Sequence, residues 1–275
     1  MARPSLAADA FPADDGITLI YHQLGAGRPV VLLHGYMLPA LPTWVDSGIA
    51  ERLADCGNRV IMPDMRGHGE SVPADESAYP PDALTSDVLA LIAHLGLTDY
   101  DLGGYSLGGR VVARALTRGV IPRRAFIGGT GLEPIVHAEG RGENYRRILG
   151  NLGTFAPGTP EADLEGYLRQ TGGNPAALIR VLDTFVDTPR DALTRVTVPA
   201  LVIAGEQDGD RGSVEDLAAT LPRSTLRRVP GNHFTALYSP ELTDHLVRFL
   251  GSASGAPASD PSYDAPGTTS SAPPR

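Results

Sequence analysis

The pentapeptide Gly104-Tyr105-Ser106-Leu107-Gly108 fits the pattern Gly-x-Ser-x-Gly. A pattern this short carries little weight alone in a chain with 32 glycines. Its flanks give it weight. Residues 100–105 read as a strand and residues 107–116 as a helix. A serine between strand and helix sits in a sharp turn, with a strained backbone and a hydroxyl standing clear of the sheet. Glycines two residues to either side are needed where the flanking chain passes too close for a Cβ. The alternative is a glycine-rich turn that carries a structural serine.

Outward from this turn, the chain alternates short apolar runs with longer amphipathic ones. Strands are predicted near 17–23, 29–33, 59–63, 100–105, 124–128, 200–204 and 225–229. Val30-Val31-Leu32-Leu33 and Leu201-Val202-Ile203 are wholly apolar, as parallel strands buried on both faces require. In residues 82–95, Leu84, Val88, Leu91, Ile92 and Leu95 fall on one helical face. Residues 213–221 and 240–250 look similar. Such alternation predicts a mostly parallel, twisted sheet with helices on both faces. One stretch, 131–195, lacks a convincing strand and reads as short helices near 144–152, 161–170 and 175–185. We expect this insertion to form a small helical lid over the strands' carboxyl ends, where open α/β sheets place ligands. The plainer reading is a covering helical layer. Residues 1–250 form the expected domain. In 251–275, 21 of 25 residues are Gly, Ser, Ala, Pro or Thr, so this tail is expected to be disordered.

A serine hydroxyl is a poor nucleophile without a base. Of seven histidines, His233 stands out. It follows the turn Val229-Pro230-Gly231-Asn232, after the last strand, and so returns to the sheet edge that carries Ser106. His22, His94 and His245 have plainer readings as packing or surface groups, and His137, in the stretch 131–195, could face either the pocket or water. The orienting carboxylate is sought in Gly205-Glu206-Gln207-Asp208-Gly209-Asp210, at the end of another strand. Asp208 is preferred, with Asp210 as the alternative. His34-Gly35-Tyr36 follows the strand near 29–33. A backbone amide of this loop, with the amide of Leu107, is expected to form an oxyanion hole, with His34 holding the loop. The run Asp64-Met65-Arg66-Gly67-His68-Gly69-Glu70-Ser71 reads as a hydrogen-bonded turn rather than a phosphate or metal loop.

Composition removes competing chemistries. All 23 basic residues are arginine, so Schiff-base and P-loop chemistry lack their lysine. Cys56 is the only cysteine, which leaves no internal disulfide or multi-cysteine zinc site. A net charge of −9 argues against nucleic-acid partners. No apolar run approaches the roughly 18 residues of a membrane span, and residues 1–16 lack the hydrophobic stretch of a secretory signal. A soluble, cytoplasmic protein with a small-molecule substrate is expected, its oligomeric state left open.

From about residue 17 to 250 the chain resembles the α/β-hydrolase superfamily. The His-Gly loop, the Asp-x-Arg-Gly-His-Gly-x-Ser turn, the Ser106 elbow, the Gly-x-x-Asp loop and the Gly-Asn-His turn occur in the family's order. The resemblance implies Ser106 as nucleophile, His233 as base, Asp208 as orienting acid, and the amides of Tyr36 and Leu107 as the oxyanion donors; the expected mechanism requires no metal or organic cofactor. A serine at the elbow is unlike the aspartate of the epoxide-hydrolase and haloalkane-dehalogenase branches. Residues 104–110, Gly-Tyr-Ser-Leu-Gly-Gly-Arg, are similar to the elbow of the menaquinone-pathway lyase that eliminates pyruvate. That likeness implies substrate contacts from Tyr105 and Arg110. The expected activity is hydrolysis of a small-molecule ester or lactone. A lyase or hydrolase cleaving a C–C bond in an anionic metabolite, and a non-catalytic ligand-binding protein, are the alternatives.

Overall fold

The computed structural model describes residues 6–75, 77–209 and 211–251. Within them, strands β1 (Ala8–Pro12), β2 (Thr18–Gly25), β3 (Arg28–Leu33), β4 (Asn58–Pro63), β5 (Asp101–Tyr105), β6 (Ala125–Gly128), β7 (Ala200–Gly205) and β8 (Ser224–Val229) form one sheet. The order is β1-β2-β4-β3-β5-β6-β7-β8. The β1–β2 and β2–β4 pairs are antiparallel, and every later pair is parallel. This is the mostly parallel α/β sheet that the sequence predicts.

Helices cover both faces. In chain order they are α1 (Ala40–Trp44), α2 (Ile49–Asp55), α3 (Ala83–His94), α4 (Leu107–Thr117), α5 (Glu133–Val136), α6 (Glu143–Leu149), α7 (Pro160–Thr171), α8 (Pro175–Val181), α9 (Arg190–Leu193), α10 (Val214–Thr220) and α11 (Pro240–Leu250). Strand β3 shows how the sheet divides the core. Val31 and Leu33 join one apolar cluster with Leu84, Val88 and Leu91 of α3 and Val111 and Val112 of α4. Val30 and Leu32 join the other, with Ile49 and Leu53 of α2 and Leu242, Leu246 and Leu250 of α11. Alternate residues of a strand point to opposite faces, so an all-apolar strand feeds two cores. Each such fully buried side chain stabilises the fold by roughly 1.5–3 kcal/mol.

Five elements lie where no expectation of their own was placed: β1, α1 and α2, and the single-turn helices α5 and α9 near the ends of the insertion. Strand β1 is short, ends in Pro12 and has only Phe11 buried, so it has no period-2 pattern of its own. Helices α1 and α2 are only five and seven residues long, too short for their periodicity to stand out. Between β6 and β7, among the described residues, the chain forms helices and no strand. Residues 252–275, which include nearly all of the expected tail, lie outside the described residues.

Candidate active site

The turn between β5 and α4 is held by close backbone contact. Ser106 has φ 57 and ψ −113. Its amide donates to Gly128 O at 2.8 Å, and the Gly108 amide donates to His34 O at 3.0 Å. A Cβ on Gly104 would lie 2.3 Å from Gly108 C, and one on Gly108 would lie 2.1 Å from Leu33 O. Only glycine fits at either position. The serine is therefore fixed at the carboxyl end of the sheet by the backbones of β3 and β6.

The loops after β7 and β8 are tied to one another. The Glu206 amide donates to Val229 O at 2.8 Å, and the Gln207 amide to Gly231 O at 3.0 Å. The Asn232 carboxamide oxygen accepts from the Phe234 and Thr235 amides at 3.0 Å each, shaping the turn that carries His233. Asp208 Oδ2 consequently lies 2.9 Å from His233 Nδ1, and His233 Nε2 lies 3.0 Å from Ser106 Oγ. The Asp208 side chain is 2% exposed and that of His233 13%. A carboxylate cannot donate, so Nδ1–H donates to Asp208 and the lone pair on Nε2 faces the serine hydroxyl. Such an arrangement can take the Ser106 proton as Oγ attacks a carbon. Asp210, the alternative acid, lies outside the described residues.

The loop after β3 passes beside the serine. A Cβ on Gly35 would lie 3.5 Å from Ser106 Cβ. His68 Nε2–H donates to Tyr36 O at 2.6 Å, and the Met65 amide donates to His34 Nε2 at 2.9 Å. The two imidazoles stack edge-on at 4.7 Å. Burial pushes the His34 pKa down to about 3 and also lowers that of His68, so both stay neutral. Asp64 accepts from the Ala40 and Glu70 amides, and Arg66 is clamped between Asp15 and Asp87. The 64–71 run is thus a brace for the 34–36 loop. Among the described residues no acceptor meets the Tyr36 or Leu107 amide, and Tyr36 lines the same cavity as Ser106.

Ser106 and His233 open onto a cavity of about 470 Å³. Its wall includes Tyr36, Met37 and Leu38, Tyr145 of α6, Leu164 and Tyr167 of α7, and Phe234 and Leu237. Tyr105 lines it with its ring, but its hydroxyl donates to His233 O at 2.8 Å. Tyr105 thus holds the histidine turn in place. Arg110 lies elsewhere. Its guanidinium stands 4.2 Å over the Phe185 ring, beside a separate hollow of about 30 Å³. The sequence reading missed Tyr145, Tyr167, Arg211 and Phe234 as cavity walls. Among the described residues no group of three His, Cys, Asp or Glu side chains is placed to hold a metal ion. No helix among them is long and apolar enough to cross a membrane.

Comparison with known proteins places this geometry among related ones. A family model described as the alpha/beta hydrolase fold matches residues 28–125. A non-heme haloperoxidase from Rhodococcus erythropolis is 38% identical over 252 residues, covering 80% of this chain and 90% of that protein. The crystal structure of a bromoperoxidase from Bacillus anthracis superposes with a TM-score of 0.72 at 25% identity, over 90% of this chain and all of that one. An esterase from Exiguobacterium antarcticum shares the fold, with a TM-score of 0.69 at 23% identity over 90% of this chain and all of that one.

Proposed function

The chain belongs to the α/β-hydrolase family, and from that premise we propose that it cleaves a small-molecule carboxylic ester or lactone through an acyl-enzyme on Ser106. The observation that carries this reading is the hydrogen-bonded chain from Asp208 through His233 to Ser106, at 2.9 and 3.0 Å. His233 accepts the Ser106 proton as Oγ attacks the carbonyl carbon. Asp208 holds the ring and stabilises the imidazolium that forms. The tetrahedral oxyanion rests on the Tyr36 and Leu107 amides, each contributing roughly 3 kcal/mol to the lowering of the barrier. His233 returns the proton to the leaving alkoxide, and a water attacks the acyl-enzyme by the same route. Helices α6 and α7 act as the lid over this chemistry.

A second reading follows from the 38% identity to a non-heme haloperoxidase. Hydrogen peroxide can replace water in opening the acyl-enzyme, which frees Ser106 and yields a peracid. The peracid then passes one oxygen to a halide, giving hypohalous acid and the carboxylate. Both readings use the same nucleophile.

The test is turnover of p-nitrophenyl butyrate, and bromination of monochlorodimedone with hydrogen peroxide in acetate buffer. Wild type is expected to hydrolyse the ester, with the activity lost in Ser106→Ala. Ester turnover that persists in Ser106→Ala contradicts the proposal. Bromination dependent on both acetate and Ser106 adds the second activity.

A further inference from the structure

The wall of the Ser106 cavity is mostly aromatic and aliphatic, and it includes two charged side chains, Asp163 and Arg211. Asp163 is exposed, while Arg211 is half-buried. Arg211 Nη1 donates to the Tyr145 hydroxyl at 3.3 Å. Among the described residues nothing else meets this guanidinium, which has five N–H donors. Tyr145 accepts that bond, so its own hydrogen is left to another acceptor. Both side chains line the cavity.

Carboxylates are not scarce in a chain of net charge −9. Arg66, Arg114 and Arg123 each end on one. Among the described residues Arg211 meets none, and neither does Arg110, whose buried Nε has no partner there. Burial, and then the charges of Arg141 and Arg211, push the Arg110 pKa down to about 10, and it remains cationic at neutral pH. The guanidinium groups of Arg110 and Arg211 thus lie within electrostatic reach of one another, and among the described residues neither ends on a carboxylate. Such an arrangement is costly alone and is offset when an anion arrives.

The backbone that carries Arg211 is fixed. Its carbonyl accepts from the Gly131 amide at 2.7 Å, and the Ser213 amide donates to the Glu133 carboxylate at 2.7 Å. Arg211 also lies three residues past Asp208, in the same loop. The group that could bind an anion is thus tied to the loop that orients His233.

We propose that Arg211 and Tyr145 form an anion subsite in the Ser106 cavity, selecting an ester or lactone that carries a carboxylate away from the scissile bond. The bond cleaved rests on the hydrolase reading above; the charge selected rests on the Arg211–Tyr145 pair. The carboxylate accepts from the guanidinium and from the phenol, and the carbonyl is thereby positioned over Ser106. Charge-assisted bonds of this kind are the stronger class of hydrogen bond.

The experiment compares monomethyl glutarate with its neutral amide isostere, methyl 4-carbamoylbutanoate. Wild type is expected to favour the anion at least tenfold in kcat/KM. Arg211→Met should lower that preference at least tenfold, chiefly through KM, and Arg211→Lys should restore part of it. A preference unchanged in Arg211→Met overturns the subsite. Calorimetry of monomethyl glutarate on Ser106→Ala separates binding from chemistry. Binding at least tenfold weaker in the Ser106→Ala/Arg211→Met double variant supports the subsite even if wild type turns over neither ester, an outcome that instead removes the hydrolase reading. Equal binding to both proteins, or none to Ser106→Ala, overturns the subsite.

Discussion

Ser106 holds a backbone conformation, φ 57 and ψ −113, that costs a residue with a Cβ about 1–3 kcal/mol. The fold retains that strain because it points Oγ at His233 and away from the sheet. Asp208→Asn should keep this geometry and lose the charge that fixes the imidazole. We expect kcat on a good ester to fall by roughly 10⁴-fold with the fold intact, and Asp210→Asn to be mild. Steady-state kinetics of the two variants decides between the acids. The neighbouring brace predicts an acid sensitivity. Unfolded His34 takes up a proton below about pH 6.5, whereas the folded protein resists that proton down to about 3. Protons therefore favour the unfolded chain across this window, and stability falls as pH falls. The contribution is up to about 1.4 kcal/mol per pH unit. Urea midpoints measured from pH 7 to 4 should show a shallower slope in His34→Asn. Ser106 and His233 were legible in the sequence because each sits in a short local pattern beside a strand. Asp208 was one of three acids in its loop and was preferred over Asp210 in sequence; the ties between the 206–208 and 229–231 backbones are what bring it to His233. Arg211 and Tyr145 had no local signal. Their meeting depends on how α6 packs against a loop 66 residues away.

The elbow is one element made from three. Strand β5 delivers the serine, α4 leaves it, and β3 lies so close that Gly108 has no room for a side chain. Gly108→Ala should push its Cβ against the Leu33 and His34 carbonyls, which are backbone atoms and cannot swing aside. A cost of about 3 kcal/mol is expected, read as a fall in Tm of roughly 6 to 12 °C. Esterase activity should fall further than stability alone explains, since the same shift moves Ser106 and the Leu107 amide. An unchanged Tm would show that the turn is looser than these contacts imply. The parallel strands were legible because burial on both faces demands unbroken apolar runs, as in Val30–Leu33. Strand β1 was not, since an edge strand with one buried residue owes its form to pairing with β2. Helices α6 and α7 were legible as helices. Which of their residues line the cavity was not, because the spacing of apolar residues marks a face without naming what that face meets.

Across the whole molecule, the sheet separates two cores, which allows a direct check of the architecture. Leu91 lies in one cluster and Leu246 in the other, both fully buried. Leu91→Ala and Leu246→Ala should each cost roughly 2–5 kcal/mol, and the double variant should show their sum within about 0.5 kcal/mol. Strong coupling in denaturant unfolding would contradict two separate cores. Folding also does what no segment can do alone. Ser106 and His233 are 127 residues apart in the chain and meet only in the closed fold. The protein has fifteen serines, and on the proposed mechanism folding activates one of them. A fluorophosphonate probe read by intact mass and peptide mapping tests that claim most directly. A single adduct on Ser106 is expected, absent from heat-unfolded protein and from Ser106→Ala. Labelling that survives Ser106→Ala, or native protein that does not label, would contradict it.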